Sequence, residues 1–308
     1  MITHYNIMTE KQEKILNSAL ELFAKEGFTA TSTNKVAKQE EKILKMHAKG
    51  ALISDVSNTI IQFDTIKGLM ILPVKYKGEM KNFIFDTGAF SSLIRQNNDS
   101  KNIISVGGAS NREVNMSFET IPSLKIGDFD FQETLALFNE LEGLDKNVDG
   151  IIGQTIIRNT NWLINYPKKE LILTKNDISD DSFKTIKIIR EDTAPYTNVT
   201  IDGVDYKCVL DLGSSSYLSI PEGSKLAEKV LSKYKFTDYT RDTWTIGGLN
   251  KDYEKTSILP VMKIGDIEFN NVKMNVKKTS QLRIGLPFFS NYQIFIDNKN
   301  GVYKIKME

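Results

Sequence analysis

Five landmarks occur twice, in the same order, along this chain. The first copy reads FIFDTGAFSSLI, VGGASNREV, LKIGDFDF, DGIIGQTII and WLINYPKKELIL. The second reads CVLDLGSSSYLS, IGGLNKDYE, MKIGDIEF, LRIGLPFF and YQIFIDNKNGVYKI. Asp86 thereby corresponds to Asp211, Gly107-Gly108 to Gly247-Gly248, Gly127 to Gly265, and Gly153 to Gly285. Each landmark alone is weak, but five in one order indicate a structural unit built twice, so any fold assigned to one copy must serve for the other.

Within each copy, short apolar runs alternate with turn signals, as in LMILPVKYKGEMKNFIF and PSLKIGDFDFQETLALF. This is the spacing of an all-β protein, with hairpins marked by Lys-Gly, Gly-Asp and Asn-Lys-Asn-Gly and with few helices. The chain has 308 residues, 40% of them apolar, enough for one large core or two to three ordinary ones. The expected organisation is a first β lobe over 62–178 and a second over 183–308, joined by the polar stretch KNDISDDS.

Residues 1–50 differ in kind. Thr9 and Gln12 fit a capping box, Ile15, Ala19, Leu22 and Phe23 fall on one helical face, and Gly27 stands where a helix would stop. A second helix can start near Ser32 and run through Val36 and KQEEKILKMHAK.

Several function classes are disfavoured by composition. Forty basic residues against thirty-nine acidic ones leave a net charge of +1 and no broad footprint for nucleic acid or a membrane surface. One cysteine, Cys208, excludes an intramolecular disulfide, and two histidines, His4 and His47, cannot complete a cysteine/histidine zinc cage. No metal or organic cofactor is expected. No window approaches eighteen uninterrupted apolar residues, and Glu10, Lys11, Glu13 and Lys14 stand where a signal peptide needs an apolar core. The sequence as written thus reads as a soluble, cytoplasmic chain, with two lobes removing the need to dimerise.

Asp86 ends an apolar run and is followed two residues later by Gly88; Asp211 and Gly213 repeat the arrangement. An unpaired carboxylate at the end of a buried strand is costly, so the position asks for a local reason. Two carboxyls delivered by equivalent turns can meet across a pseudo-two-fold axis. Close together they cannot both ionise cheaply, so the pair holds one proton. The ionised member can take a proton from water while the protonated member donates to a carbonyl oxygen, which permits direct attack of water on an amide.

FIFDTGAFSSLI, followed some sixty residues later by DGIIG, resembles the retropepsin and pepsin superfamily of aspartic peptidases. The two-copy layout is similar to its bilobal, single-chain form, and the likeness covers about four-fifths of the chain. The resemblance implies a pepsin/retropepsin-like pair of duplicated β-barrel lobes, an endopeptidase activity, and an extended peptide or protein substrate. It implies that Asp86 and Asp211 are the catalytic pair and that Thr87, Gly88, Gly213 and Ser214 hold the turns, with Ser214 hydrogen-bonding the Asp211 carboxylate. Ile152, Gly153, Ile284 and Gly285 would support the turns from beneath. Gly107, Gly108, Gly247 and Gly248 would belong to hairpin flaps over the substrate.

The second copy departs from that pattern at two places. Leu212 replaces the expected Thr or Ser and removes one of two hydroxyls from the grip between lobes. Arg283 takes the first apolar position of the second support strand, opposite Ile151, where a buried guanidinium would pair with Asp211 and oppose the shared-proton state. An ion pair there favours the alternative, a peptide-binding pseudopeptidase; Arg283 facing solvent favours the enzyme.

Other features have plainer readings. Cys208, three residues before Asp211, reads as a core thiol. Asp128/Asp130, Asp180/Asp181 and DNKNG at 297 read as turns rather than calcium loops. Trp162 and Trp244 fit either core or groove wall. The stretch KQEKILNSALELFAKEGFTATSTNKVAKQ resembles the start of a TetR-type transcription regulator, but EEKILKMHAKG replaces the recognition helix, so nucleic acid is not an expected partner.

Overall fold

The computed structural model describes residues 33–307 except 97–99, 108–112, 192–193 and 247. The chain divides into Met1–Lys49 and Gly50–Glu308. The described part of the first unit is one helix, Thr33–Ala48, where the second N-terminal helix is expected. The helix expected over residues 9–27, and with it most of the TetR-like stretch, lies outside the described residues.

The second unit is built from hairpins. Lys77 and Gly78 both adopt left-handed backbone (φ 52° and 85°) and join Leu69–Tyr76 to Glu79–Phe85. Asp202 and Gly203 do the same (φ 51° and 76°) between Ala194–Ile201 and Val204–Asp211. Two consecutive positive φ values match the right-handed twist of the flanking strands. Three short helices, Gln154–Ile157, Lys225–Lys233 and Leu286–Phe289, interrupt the strands of this unit.

The repeat in the sequence becomes a repeat in strand order. In the first half, Leu69–Tyr76 pairs antiparallel with Glu79–Phe85, which runs parallel to Gly150–Ile152; that strand lies antiparallel to Ser92–Arg95, itself parallel to Phe129–Asn139. In the second half, Ala194–Ile201, Val204–Asp211, Arg283–Gly285, Leu218–Pro221 and Ile267–Lys277 follow the same succession with the same polarities. Each sheet ends in a long hairpin: Ile103–Gly107 with Glu113–Ile126, and Thr237–Thr245 with Gly248–Ile264.

A third sheet of six strands is shared. Asn58–Gln62, Glu170–Thr174 and Asn161–Asn165 come from the first half, and Tyr292–Asp297, Val302–Met307 and Lys184–Lys187 from the second. The central pairing, Trp162 with Ile296 through Asn165 with Gln293, joins the two matched landmarks antiparallel to one another, so the pseudo-two-fold axis passes between them. The β unit also begins before residue 62. Ala51–Ile53 pairs with Phe129–Asn139 and Asn58–Gln62 with Glu170–Thr174. Three and five residues long, these strands are too short to announce themselves by periodicity.

The core of the first half reaches the shared sheet through aromatic contact. The Phe85 ring centroid lies 5.1 Å from that of Trp162, both side chains are fully buried, and the Trp162 indole N–H donates to the Ile157 carbonyl at 2.7 Å. Trp162 is therefore core. Truncating Phe85 to Ala, one residue before Asp86, is expected to cost about 3–5 kcal/mol, measured as a lower urea midpoint with unchanged slope; a cost under about 1 kcal/mol would mean that this contact does not tie sheet to sheet.

Candidate active site

Three consecutive buried residues, Phe83, Ile84 and Phe85, bring the chain to Asp86. The support strand lies parallel beneath them, Ile151 beside Ile84 and Ile152 beside Phe85, and the Asp86 N–H donates to the Ile152 carbonyl at 3.0 Å. In the second half Ile284 lies beside Leu210 and Gly285 beside Asp211, with the Val209 N–H on the Leu282 carbonyl at 3.0 Å. The two support glycines sit under the turns they serve. A Cβ on Gly153 would stand 2.4 Å from the Ser91 carbonyl oxygen, and one on Gly285 2.1 Å from that of Ser216.

The two turns then interlock. Asp86 Oδ1 accepts from the backbone N–H of Gly88 (2.8 Å) and of Ala89 (3.1 Å); Asp211 Oδ1 accepts from Gly213 N–H (2.9 Å). A Cβ on Gly88 would lie 2.7 Å from Asp211 Cγ, and one on Gly213 only 2.1 Å from Asp86 Cγ. Each turn therefore presses its glycine against the carboxyl of the other, and no larger residue fits. The two carboxyls are thereby held side by side, where they cannot both ionise cheaply. Burial, then the neighbouring Asp211 charge and hydrogen bonding with Asp211, hold Asp86 well above the usual carboxylate range; the Gly88 N–H and the Arg283 charge offset this in part.

One hydroxyl ties the turns together. Thr87 Oγ1 donates to the Leu210 carbonyl at 2.7 Å and accepts from the Leu212 N–H at 2.9 Å, in a fully buried position. Gln154 secures the turn from behind, its side-chain N–H donating to the Thr87 carbonyl at 2.7 Å. The reciprocal grip cannot form, because Leu212 is apolar and packs into the core.

The second turn differs from expectation at Ser214. Its hydroxyl accepts from the Ser216 N–H at 3.4 Å instead of meeting the Asp211 carboxylate, while its carbonyl accepts from Leu286 N–H at 2.9 Å. The cation on that carboxylate is Arg283, whose Nη1 lies 2.7 Å from Asp211 Oδ2. Ser214 thus supports the turn through its backbone. Cys208, three residues before Asp211, is buried, and burial pushes its thiol up, in keeping with a core thiol.

The hairpins expected as flaps are present as strand pairs. Gly107 ends one arm of the first, and Gly248 opens the second arm of the other; Gly108 and Gly247 lie outside the described residues. Residues Thr245 and Gly248 reach across to Gly143, where a Cβ would stand 2.3 Å from the Thr245 carbonyl oxygen. Beneath this hairpin is a cavity of about 920 Å³ bordered by Gly213, Ser214, Arg241, Trp244, Lys277 and Arg283. Trp244 is therefore groove wall, with Lys67 Nζ 3.5 Å above its ring. Arg241 and Lys277 carry no motif; they sit in strands that alternate charged and neutral residues as any exposed hairpin does, so nothing in the sequence marks them.

No protein-family model matches the chain, and no curated protein matches it by sequence. Among solved structures it is similar to the crystal structure of basic 7S globulin from soybean, with a TM-score of 0.51 and 8% sequence identity, over 84% of this chain and 96% of that one. With the duplicated sheets and the shared third sheet, this likeness defines the fold class: an all-β, two-lobed pepsin-like fold behind a short helical N-terminal segment. At that identity the likeness concerns the fold alone.

Thr87→Val leaves the Leu210 carbonyl and the Leu212 N–H buried without a partner, an expected loss on the order of 2–4 kcal/mol by urea unfolding. Asp86→Asn is expected to separate pH regimes. A raised folded pKa contributes stability that is complete below the unfolded value and lost as pH rises through the folded one. The variant should match wild type near pH 3 and be the more stable protein near pH 8; equal stability at both would show that Asp86 is not held protonated.

Proposed function

We propose that this protein is an aspartic endopeptidase-like hydrolase in which Asp86 and Asp211 act on a peptide lying under the two hairpins. The observation that supports it is the pair of turns that interlock glycine against carboxyl, with Asp86 held well above the usual carboxylate range. The roles follow from their surroundings. Asp86, which keeps its proton, donates to the carbonyl oxygen of the scissile amide. Asp211, paired with a cation, is the carboxylate that receives a proton from water as the water oxygen bonds to the carbonyl carbon. The resulting gem-diol collapses with a proton passing to the amide nitrogen, which leaves as the amine, and the new carboxyl leaves as the acid. No covalent enzyme intermediate and no cofactor enter the scheme.

A second reading, a peptide-binding pseudopeptidase, is the one favoured by the position of Arg283, which pairs with Asp211 at 2.7 Å instead of facing solvent. Asp211 Oδ1 holds the Gly213 N–H and Oδ2 holds Arg283, so both oxygens have donors, and Leu212 has removed half of the grip between turns. Under this reading the cleft binds an extended peptide without cutting it.

Digestion of a diverse peptide mixture, followed by mass spectrometry from acid to neutral pH, separates the two. The peptidase reading expects cuts that disappear in Asp86→Asn; a folded wild type that makes no cuts at any pH leaves the binding reading. If cuts occur, the alkaline limb of the pH profile follows Asp86 and lies above the usual carboxylate range. Because the Arg283 charge opposes that elevation, Arg283→Leu should move the limb to higher pH; movement to lower pH would contradict the assigned roles.

A further inference from the structure

Arg283 borders the cavity as well as Asp211. Its Nη1 is committed to Asp211 Oδ2, while its Nε is enclosed without a hydrogen-bond partner. The cavity wall around it is rich in cations: Lys67, Arg241, Lys251, Lys277, Lys278 and Arg283 line it, against Glu222, Asp242 and Asp252. Two of the inner cations are locked in place by the protein. Arg241 bonds Glu254 at 2.6 Å and reaches Ser215 and Ser216; Lys277 lies 3.3 Å from Asp252 and 3.9 Å from Glu254. Glu254 is held in turn by Asn275, whose side-chain N–H donates to it at 2.6 Å. Burial, then the Arg241 charge, lower the basicity of Lys277, while Glu254 and Asp252 offset this in part. At the exposed rim, Lys251 and Lys278 have no ion-pair partner among the described residues.

We infer that this cavity is the subsite for an acidic side chain of the bound peptide, and that a carboxylate seated there draws the Arg283 guanidinium off Asp211. This rests on the peptide-cleft reading above. Exchanging one carboxylate for another on the same guanidinium keeps the cation paired, and the Asp211 carboxylate it leaves is offset by the proton held on its neighbour Asp86. It also engages the idle Nε. A guanidinium offers a planar fork suited to both oxygens of a carboxylate, and the present arrangement uses it from one nitrogen only. Asp211 Oδ2 is then free to receive the proton of the attacking water. A neutral peptide leaves Arg283 where it is, and Asp211 remains capped. Selectivity for acidic peptides would therefore appear in the rate of cutting and in the affinity.

The probes are two pools of fluorescein-labelled extended octapeptides, randomised over apolar and small residues, identical except for Glu or Gln at one position that is scanned along the chain. Binding is read by polarisation with the full-length Asp86→Asn protein, and cutting with wild type. At the position that reaches the cavity, the Glu pool is expected to bind about tenfold tighter than the Gln pool, an advantage lost in Asp86→Asn/Arg283→Gln and reduced at high salt. Lys278→Gln, an exposed rim change that does not threaten folding, should reduce the same advantage about two- to threefold. Equal binding of the two pools at every position overturns the inference, whether or not wild type cuts. Cutting by wild type with no preference for Glu overturns it while leaving the peptidase reading in place. Tighter binding of Glu peptides without any cutting supports the subsite and overturns the peptidase reading instead.

Discussion

Everything at the centre of this molecule depends on holding two like-charged groups side by side in a dry place. Two carboxyls pressed against each other's turns, one of them buried, are tolerable only when a proton is held or a cation intervenes. This chain uses both: Asp86 is held well above the usual carboxylate range, and Asp211 has Arg283. The steric conditions are equally strict, because each carboxyl occupies the volume that a side chain at the opposite glycine would need. The parallel support strands, the glycines beneath the turns and the buried Thr87 hydroxyl all keep this approach from relaxing. Helical and hairpin elements elsewhere can vary without touching it; these cannot.

The duplication made most of this arrangement legible. Landmarks that are weak alone became a fold because they recur in order, and the structure repeats their strand order and polarities. Hairpins were legible because Lys77-Gly78 and Gly265 declare their backbone conformations through residue type. The meeting of Asp86 with Asp211, and the seat of Arg283 on Asp211, followed from the same alignment of copies. What was not legible is what depends on side chains meeting from strands without a motif. Ser214 looked able to reach Asp211, but which donor occupies a carboxylate oxygen depends on competition that spacing cannot rank, and a guanidinium from the neighbouring strand occupies it. Arg241, Lys277 and Glu254 form a buried ionic cluster from residues that read, one by one, as the charged face of a hairpin.

The two halves have diverged unequally about a common plan. The first keeps a hydroxyl at Thr87 that serves both turns, and its Asp86 accepts from the backbone N–H groups of Gly88 and Ala89. The second has replaced the matching hydroxyl with Leu212, put a cation on its support strand, and lined the space under its hairpin with charge. Under the proposed reading, a duplicated site with the raised carboxyl in one half and a charged wall in the other is no longer symmetric toward an extended peptide. It can set the direction in which an extended segment lies.

The shared sheet has a consequence for how such a chain is made. Its central seam pairs Asn161–Asn165 with Tyr292–Asp297, so the innermost strand of the first half waits for one from near the far end of the β unit. Until the second half emerges from the ribosome, that strand presents an open row of backbone donors and acceptors, backed by apolar residues. An unfinished first half can satisfy them with the same strand of another nascent copy, antiparallel as in the finished seam. Assembly by this route would yield a paired species stalled on the way to the monomer, and the speed of synthesis through the second half, not the stability of either half, would decide how much of it accumulates.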